Sequence, residues 1–258
     1  MSEALRITSR DNPLLQKLRK LARDNTGYRE HGQIWVEGEH LCGAALSRDW
    51  PVAQAVLTET AWTSPALRAV AAGAARVAIV PDALFKALSG LDSPGGIGFV
   101  LPLGAARPIQ PEAMTLVLDR LQDAGNVGSV LRSAAAFGVA QVLALRGTAA
   151  LWSPKVLRAG MGAHFGLRLV ELLEAADLDV LRVPLLATSS HGGTALYKAQ
   201  LPTPCAWVLG HEGQGVASAL AQRCAMTLRI PQPGGEESLN AAAAAAICLY
   251  ESERQRSG

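Results

Sequence analysis

An α/β fold is predicted for this chain, with a mostly parallel sheet in its C-terminal part and a smaller α/β region before it. Three observations carry that expectation. From Met114 onward, short strand-like runs alternate regularly with loops and helical patterns, as in a parallel sheet covered on both faces. The first hundred residues alternate as well, less regularly. Between the two lies GAARPIQP, with two prolines and no periodicity, which reads as a linker. The expected domains are therefore 1–103 and 112–258, joined by a linker over 104–111.

The composition supports a packed core. Of the 258 residues 49% are hydrophobic. About 45 of them are alanines, and the bulky apolar remainder still suffices for a core. With 24 basic and 22 acidic residues the formal net charge is only +2. That excludes a histone-like polycation, so any nucleic-acid affinity must come from a local patch.

Taken in order, PLLQKLRKLAR (13–23) sets Leu14, Leu15, Leu18 and Leu21 on one face, with Lys17, Arg19, Lys20 and Arg23 over the rest. This is an amphipathic helix with a basic outer surface. Strands are expected at 34–36, 55–58, 77–80 and 97–101, with a helix near 40–46. In the C-terminal part they are expected at 115–118, 141–145, 185–187, 207–209 and 227–230. A helix over 127–137 keeps apolar residues at 127, 130, 131, 134 and 137. The alanine-rich run 241–250 closes the chain as a helix; it serves equally well as a core helix or a dimer face.

The four cysteines stand at 42, 205, 224 and 248 without a C-x-x-C pair, so they read as small buried residues and no structural metal is expected. No apolar run approaches a membrane span, and the N-terminus lacks an apolar signal core. A soluble, cytoplasmic protein is expected.

Ligands of open parallel sheets bind beyond the carboxyl ends of the strands, and three loops there are chemically unusual. After 115–118 comes DRLQDAGNVGSVLR; after 207–209 comes GHEGQG; after 227–230 comes PQPGGEESLN, running into the alanine-rich helix. None is a common nucleotide fingerprint. There is no G-x-x-x-x-G-K-[ST], the glycine spacings miss G-x-G-x-x-G, and no G-x-S-x-G elbow exists.

At these loops the chain resembles the SpoU/TrmH ribose methyltransferases of the SPOUT superfamily. DAGNVGSVLRSA (123–134) is similar to that family's first motif, VLGHEGQG (208–215) to the second and IPQPGGEESLN (230–240) to the third. Two positions depart: Ala124 stands where the first motif usually has proline, and His211 where the second usually has asparagine. The contexts ITSRDNPLLQKLRKL, WVEG and SPGGI also resemble the small substrate-binding domain of many members, which has a ribosomal-protein L30e-like fold.

The resemblance implies a catalytic domain with a C-terminal trefoil knot, S-adenosylmethionine as cofactor, and a homodimer. It implies methylation of a ribose 2′-hydroxyl in RNA, ribosomal RNA ahead of tRNA. The rival reading is a non-catalytic RNA-binding protein with a degenerate methyltransferase domain. Loss of Arg132, Glu212, Ser238 or Asn240 would have signalled it, and all four are present.

The implied catalytic residues are Asn126, Arg132, Glu212, Ser238 and Asn240. The implied cofactor contacts are Thr188, Leu209, Gly210, Ile230, Ser238, Leu239 and Asn240, several through the main chain. Arg10, Lys17, Lys20, Arg23 and Arg132 are the expected RNA contacts. A guanidinium ordinarily keeps its proton near neutrality, so a phosphate clamp suits Arg132 more readily than a base. Structural readings stand beside these: Asn126 or Asn240 as a helix cap, Glu212 as a solvated carboxylate, the basic helix face as ordinary surface.

Overall fold

A computed structural model describes residues 4–105, 107–234 and 238–258. The segment 235–237 of the third motif and residue 106 of the expected linker lie outside the described residues. In the first part of the chain the strands are β1 (Leu5–Arg6), β2 (Gln33–Glu37), β3 (Gln54–Thr58), β4 (Val77–Val80) and β5 (Ile97–Pro102). The helices among them are α1 (Pro13–Arg23), α2 (Gly27–His31), α3 (Glu39–Leu46), α4 (Glu59–Thr63), α5 (Pro65–Ala71) and α6 (Asp82–Leu88). There follow β6 (Thr115–Leu118), α7 (Ala124–Ala136), β7 (Gln141–Leu145), α8 (Pro154–Gly160), β8 (Arg168–Leu173), β9 (Leu185–Ser189) and β10 (Thr194–Ala195). The chain ends with β11 (Ala206–Leu209), α9 (Ser218–Ala221), β12 (Met226–Arg229) and α10 (Ala241–Ser257). No helix of the described residues is long and apolar enough to cross a membrane.

The chain divides into two compact units, one of 1–105 with 152–165, the other of 106–151 with 166–258. In the first, the sheet order is β1-β4-β3-β5-β2; β1, β4 and β3 run parallel, and β5 is antiparallel to both β3 and β2. Helix α1 starts where Asn12 accepts the Leu14 N–H and Pro13 supplies a pre-set first turn. It buries Leu15, Leu18, Leu21 and Ala22, whereas Leu14 remains half-buried. Residues 152–165 belong to this unit although the sequence placed them with 112–258. Ser153 caps α8, Val156 and Leu157 are buried, and Trp50 meets the rings of Trp152 (5.6 Å) and Phe165 (5.3 Å). The Trp50 indole N–H also donates to the Phe165 carbonyl at 3.1 Å.

The second unit is built on a seven-stranded sheet, order β10-β12-β9-β11-β6-β7-β8, parallel at every pairing. Its central strands β6, β7 and β11 are buried along their whole length, as parallel strands covered on both faces must be. Val117, Leu143, Val208 and Leu220 form the core on one side. On the other, α10 packs against α7, and Trp207, fully buried, donates its indole N–H to Ser252 at 2.8 Å. Parallel pairing brings the carboxyl ends of β6, β9, β11 and β12 to one edge, where the three motif loops emerge.

Candidate functional site: a cavity joined by three loops

Those loops enclose a cavity of about 620 Å³, a volume suited to a nucleoside-sized ligand. Its walls come from the ends of β9, β11 and β12, the loop 210–216, residues 238–241 and Asn126.

The loop 210–216 folds back on its own start. A Cβ at Gly210 would lie 2.0 Å from the Gly215 carbonyl carbon and 2.1 Å from the Val216 nitrogen, so only glycine fits. Two backbone hydrogen bonds close the turn: the His211 N–H donates to the Gly215 oxygen (3.0 Å), and the Gly215 N–H to the His211 oxygen (2.8 Å). His211 Nδ1 accepts the N–H groups of Gly213 (3.0 Å) and Gln214 (3.3 Å), so its lone pair caps the turn from inside.

Glu212 reaches across to the first motif. Its carboxylate accepts the Gln122 N–H (3.2 Å), the Asp123 N–H (3.0 Å) and the Asn126 amide (3.4 Å). Partial burial disfavours the charged form, but these donors outweigh it and hold the carboxyl below its usual range. Asn126 in turn accepts from the Asn240 amide at 2.8 Å, and Asn240 Oδ1 accepts the Ala242 (2.9 Å) and Ala243 (3.3 Å) N–H groups. The orientations are mutually required. With Asn240 Oδ1 spent on α10, its amide must donate to Asn126 Oδ1, which leaves the Asn126 amide to donate to Glu212. One hydrogen-bonded chain thus ties the second motif to the first and the first to the third.

Helix α7 begins three residues before the expected start, because Asp123 is the cap: its Oδ1 accepts the Asn126 N–H at 2.7 Å. Asn126 therefore sits inside the first turn, with its side chain free for the rim network. Arg132, six residues on, is turned about 240° around the helix. It is exposed and does not line the cavity.

The expected cofactor contacts, Thr188, Leu209, Gly210, Ile230, Ser238, Leu239 and Asn240, all line the cavity. The Thr188 hydroxyl donates to the Val208 carbonyl at 3.1 Å, so it also holds β9 to β11. Among the expected RNA contacts, the Lys17 amine donates to Gln33 (2.8 Å), Lys20 pairs with Glu30, and Arg23 donates to the Ala87 carbonyl (2.7 Å). Arg10 is exposed.

Sequence reading missed Gln232, whose Oε1 is buried without a hydrogen-bond partner among the described residues while the residue lines the cavity. An orphaned buried acceptor is costly unless a ligand supplies its donor. S-adenosylmethionine, with amino, ammonium and hydroxyl donors beside the aliphatic arms of its sulfonium, fits a wall that sets Gln232 and Ser238 among Leu209, Ile230, Leu239 and Ala244. Also missed was the buried Asp119 with Arg120, just after β6. No periodicity marks either feature.

Comparison with known proteins places this architecture. Residues 113–250 match the model of the SpoU rRNA Methylase family, and residues 12–98 that of an MRM3-like substrate binding domain. The chain is 32% identical to an uncharacterized tRNA/rRNA methyltransferase of Synechocystis over 99% of its own length and 96% of the relative's. It is 29% identical to the 23S rRNA (uridine(2479)-2′-O)-methyltransferase of Streptomyces viridochromogenes, over 98% and 93% of the two lengths. A crystal structure of an AdoMet-bound rRNA methyltransferase from Sinorhizobium meliloti superposes with a TM-score of 0.86 at 26% identity, covering 97% and 98% of the two chains.

Proposed function

This chain belongs to the SpoU rRNA methylase family, and from that we infer that it methylates a ribose 2′-hydroxyl of ribosomal RNA with S-adenosylmethionine. The observation that carries the reading is the hydrogen-bonded chain from Glu212 through Asn126 to Asn240, at the rim of a cavity lined by the second and third motifs.

The cofactor, when bound, supplies an electrophilic methyl on a sulfonium. The protein must place the weakly nucleophilic hydroxyl in line with it and find a site for its proton. Leu209, Gly210, Ile230 and Leu239 hold the cofactor, much of it through main-chain groups. The orphaned Gln232 oxygen accepts one of its N–H or O–H donors. Asn126, Glu212 and Asn240 act together, because the network between them sets the loop walls before any ligand arrives, and Ser238 offers its hydroxyl at the same rim. Arg132 acts on the RNA side. Its guanidinium clamps a phosphate and so orients the ribose, or accepts the 2′-proton.

Further parts of the reading concern organisation. Residues 112–258, apart from the 152–165 segment that packs in the first unit, form the methyltransferase domain, and 1–103, joined through 104–111, form an L30e-like substrate reader in which Arg10, Lys17, Lys20 and Arg23 meet RNA. The C-terminal segment makes a trefoil knot. In support, β12 lies between β10 and β9, and α10 then returns against α7, the first helix of the sheet. The enzyme works as a homodimer in the cytoplasm; Ile247 (40%) and Tyr250 (56%) remain exposed on α10, a suitable partner surface.

The test is direct. Calorimetry on the purified full chain should detect micromolar S-adenosylmethionine binding. A map of 2′-O-methyl marks in total RNA from a strain lacking the gene should lose one rRNA mark relative to its parent. A lost tRNA mark would correct the substrate. No cofactor binding and no lost mark would leave only the non-catalytic RNA-binding reading.

A further inference from the structure

The second residue after β6 carries an unusual backbone. Arg120 has φ 60, in the left-handed region that a non-glycine residue takes only when its surroundings compel it. Two contacts account for it. The Arg120 N–H donates to Thr148 Oγ1 (3.1 Å), whose own proton goes to the Leu118 carbonyl (3.0 Å). The side chain then lies over Gly147, where a Cβ would come within 3.1 Å of Arg120 Cγ.

This turn aims the guanidinium at two things together. On one side, Nε and Nη2 donate to the two oxygens of Asp119 (2.9 and 3.3 Å), a bidentate pair whose acid is almost wholly buried (4% exposed against 32% for the arginine). On the other, Nη1 donates to Gln214 Oε1 (3.0 Å) and Nη2 to the Gly215 carbonyl (3.5 Å). Asp119 Oδ2 also accepts the Ala217 N–H at 2.7 Å. The far end of the loop 210–216 is thus held by Asp119 and Arg120, as its near end is held by Glu212.

We propose that Arg120, seated on Asp119, is a positioning residue for the cofactor loop, holding residues 210–216 in the conformation that walls the cavity before ligand binds. The proposal rests on reading that cavity as the S-adenosylmethionine site. Arg120 touches neither the cavity nor, on this reading, the cofactor. It acts through Gln214 and Gly215, both of which line the wall. A loop already ordered costs binding less entropy, so the effect belongs in cofactor affinity and not in the chemical step.

Calorimetry on the full chain, with S-adenosylmethionine and S-adenosylhomocysteine as probes, tests this. Arg120→Ala should weaken both by about tenfold, while methyl transfer at saturating cofactor stays within about threefold of the parent. Arg120→Lys should recover little, because one ammonium cannot span a carboxylate, an amide oxygen and a carbonyl in a plane. Gln214→Ala, which removes one bond and leaves the buried Asp119 paired, should cost about twofold to threefold. Added to Arg120→Ala it should cost nothing further, since the shared bond is already gone. If Arg120→Ala fails to fold, Gln214→Ala alone decides. Cofactor affinity unchanged in the folded variants overturns the proposal. Unchanged cofactor affinity with weakened RNA binding overturns it too, and makes Arg120 an RNA contact. A parent protein that binds neither probe condemns the functional reading instead.

Discussion

The rim of the cavity and the basic helix α1 use their polar side chains in opposite ways. At the rim, residues about ninety or more positions apart in the chain find one another, as Glu212 finds Asn126 and Asn126 finds Asn240. Along α1, Lys17, Lys20 and Arg23 turn to partners within their own unit: Gln33, Glu30 and the Ala87 carbonyl. Ordered motifs located convergent chemistry. A helical face rich in cations showed only where charge sits, because neighbouring acceptors compete with RNA for Lys17, Lys20 and Arg23. Arg132 falls between the cases: it belongs to a motif, yet it stands exposed outside the cavity.

The largest expected effect tests that intermediate position. Arg132→Ala should lower single-turnover methyl transfer by at least ~10²-fold while cofactor affinity stays within a few-fold. Arg132→Lys should restore part of the rate for a phosphate clamp and almost none for a role that requires the guanidinium. A fully active Arg132→Ala would make the arginine ordinary surface.

Asn240→Ala should come next, with the opposite profile. It removes both the α10 cap and the link to Asn126, so cofactor affinity should fall by roughly tenfold. Losing the cap also costs about 1 kcal/mol, seen as a melting temperature lower by about 2–4 °C. Unchanged affinity with only the thermal shift would reduce Asn240 to a cap.

Glu212 links the comparison to pH. Its folded carboxyl lies below the usual range, so the stabilisation it provides is present above the ordinary carboxylate pKa and is lost as pH falls through the depressed folded value. Cofactor affinity should therefore hold from neutrality down through the ordinary carboxylate range and weaken only as pH falls through the depressed folded value. Glu212→Gln should be weaker at neutral pH and lack that acid limb; retention of the limb would assign it to another group.

Smaller effects are expected at His211 and along α1. Asparagine can offer an acceptor oxygen where His211 Nδ1 receives two N–H groups, so His211→Asn should stay within about threefold in cofactor affinity. His211→Ala, which leaves both donors without that acceptor, should do worse. Lys20→Ala should change RNA affinity least, by less than about threefold, since Lys20 must first leave Glu30. Filter binding over a salt series would show this, and a large loss would turn the basic helix into a genuine RNA contact.

Much of the fold was legible. The strands 77–80, 115–118 and 141–145 and the helix 13–23 appear at the expected residues, because each is long or apolar enough to show its period. β1 and β10 have two residues each, too few for any period. β8 was lost for another reason: it is half-exposed at the sheet edge, its pairing with β7 shifts register, and Leu172 takes φ 63. At the site, residue types within motifs were legible and their bonding was not. Asp123 displaced Asn126 as the cap of α7, and that freed the asparagine for the rim. The Asp119–Arg120 clamp depends on partners more than ninety residues away and on a positive φ, and neither leaves a mark in the order of the letters.

The interleaving of the two compact units bears on how such a protein can be recombined. The chain crosses between them at 105/106, again at 151/152 and back at 165/166. A graft that exchanges only residues 1–105 would hand Trp152, Val156, Leu157 and Phe165 to a foreign core, with Trp50 no longer there to meet the two rings. The unit of inheritance for the N-terminal module is therefore discontinuous. Donor and recipient would have to trade 152–165 along with it, and a chimera that ignores this should accumulate as aggregate where one that carries both pieces stays soluble.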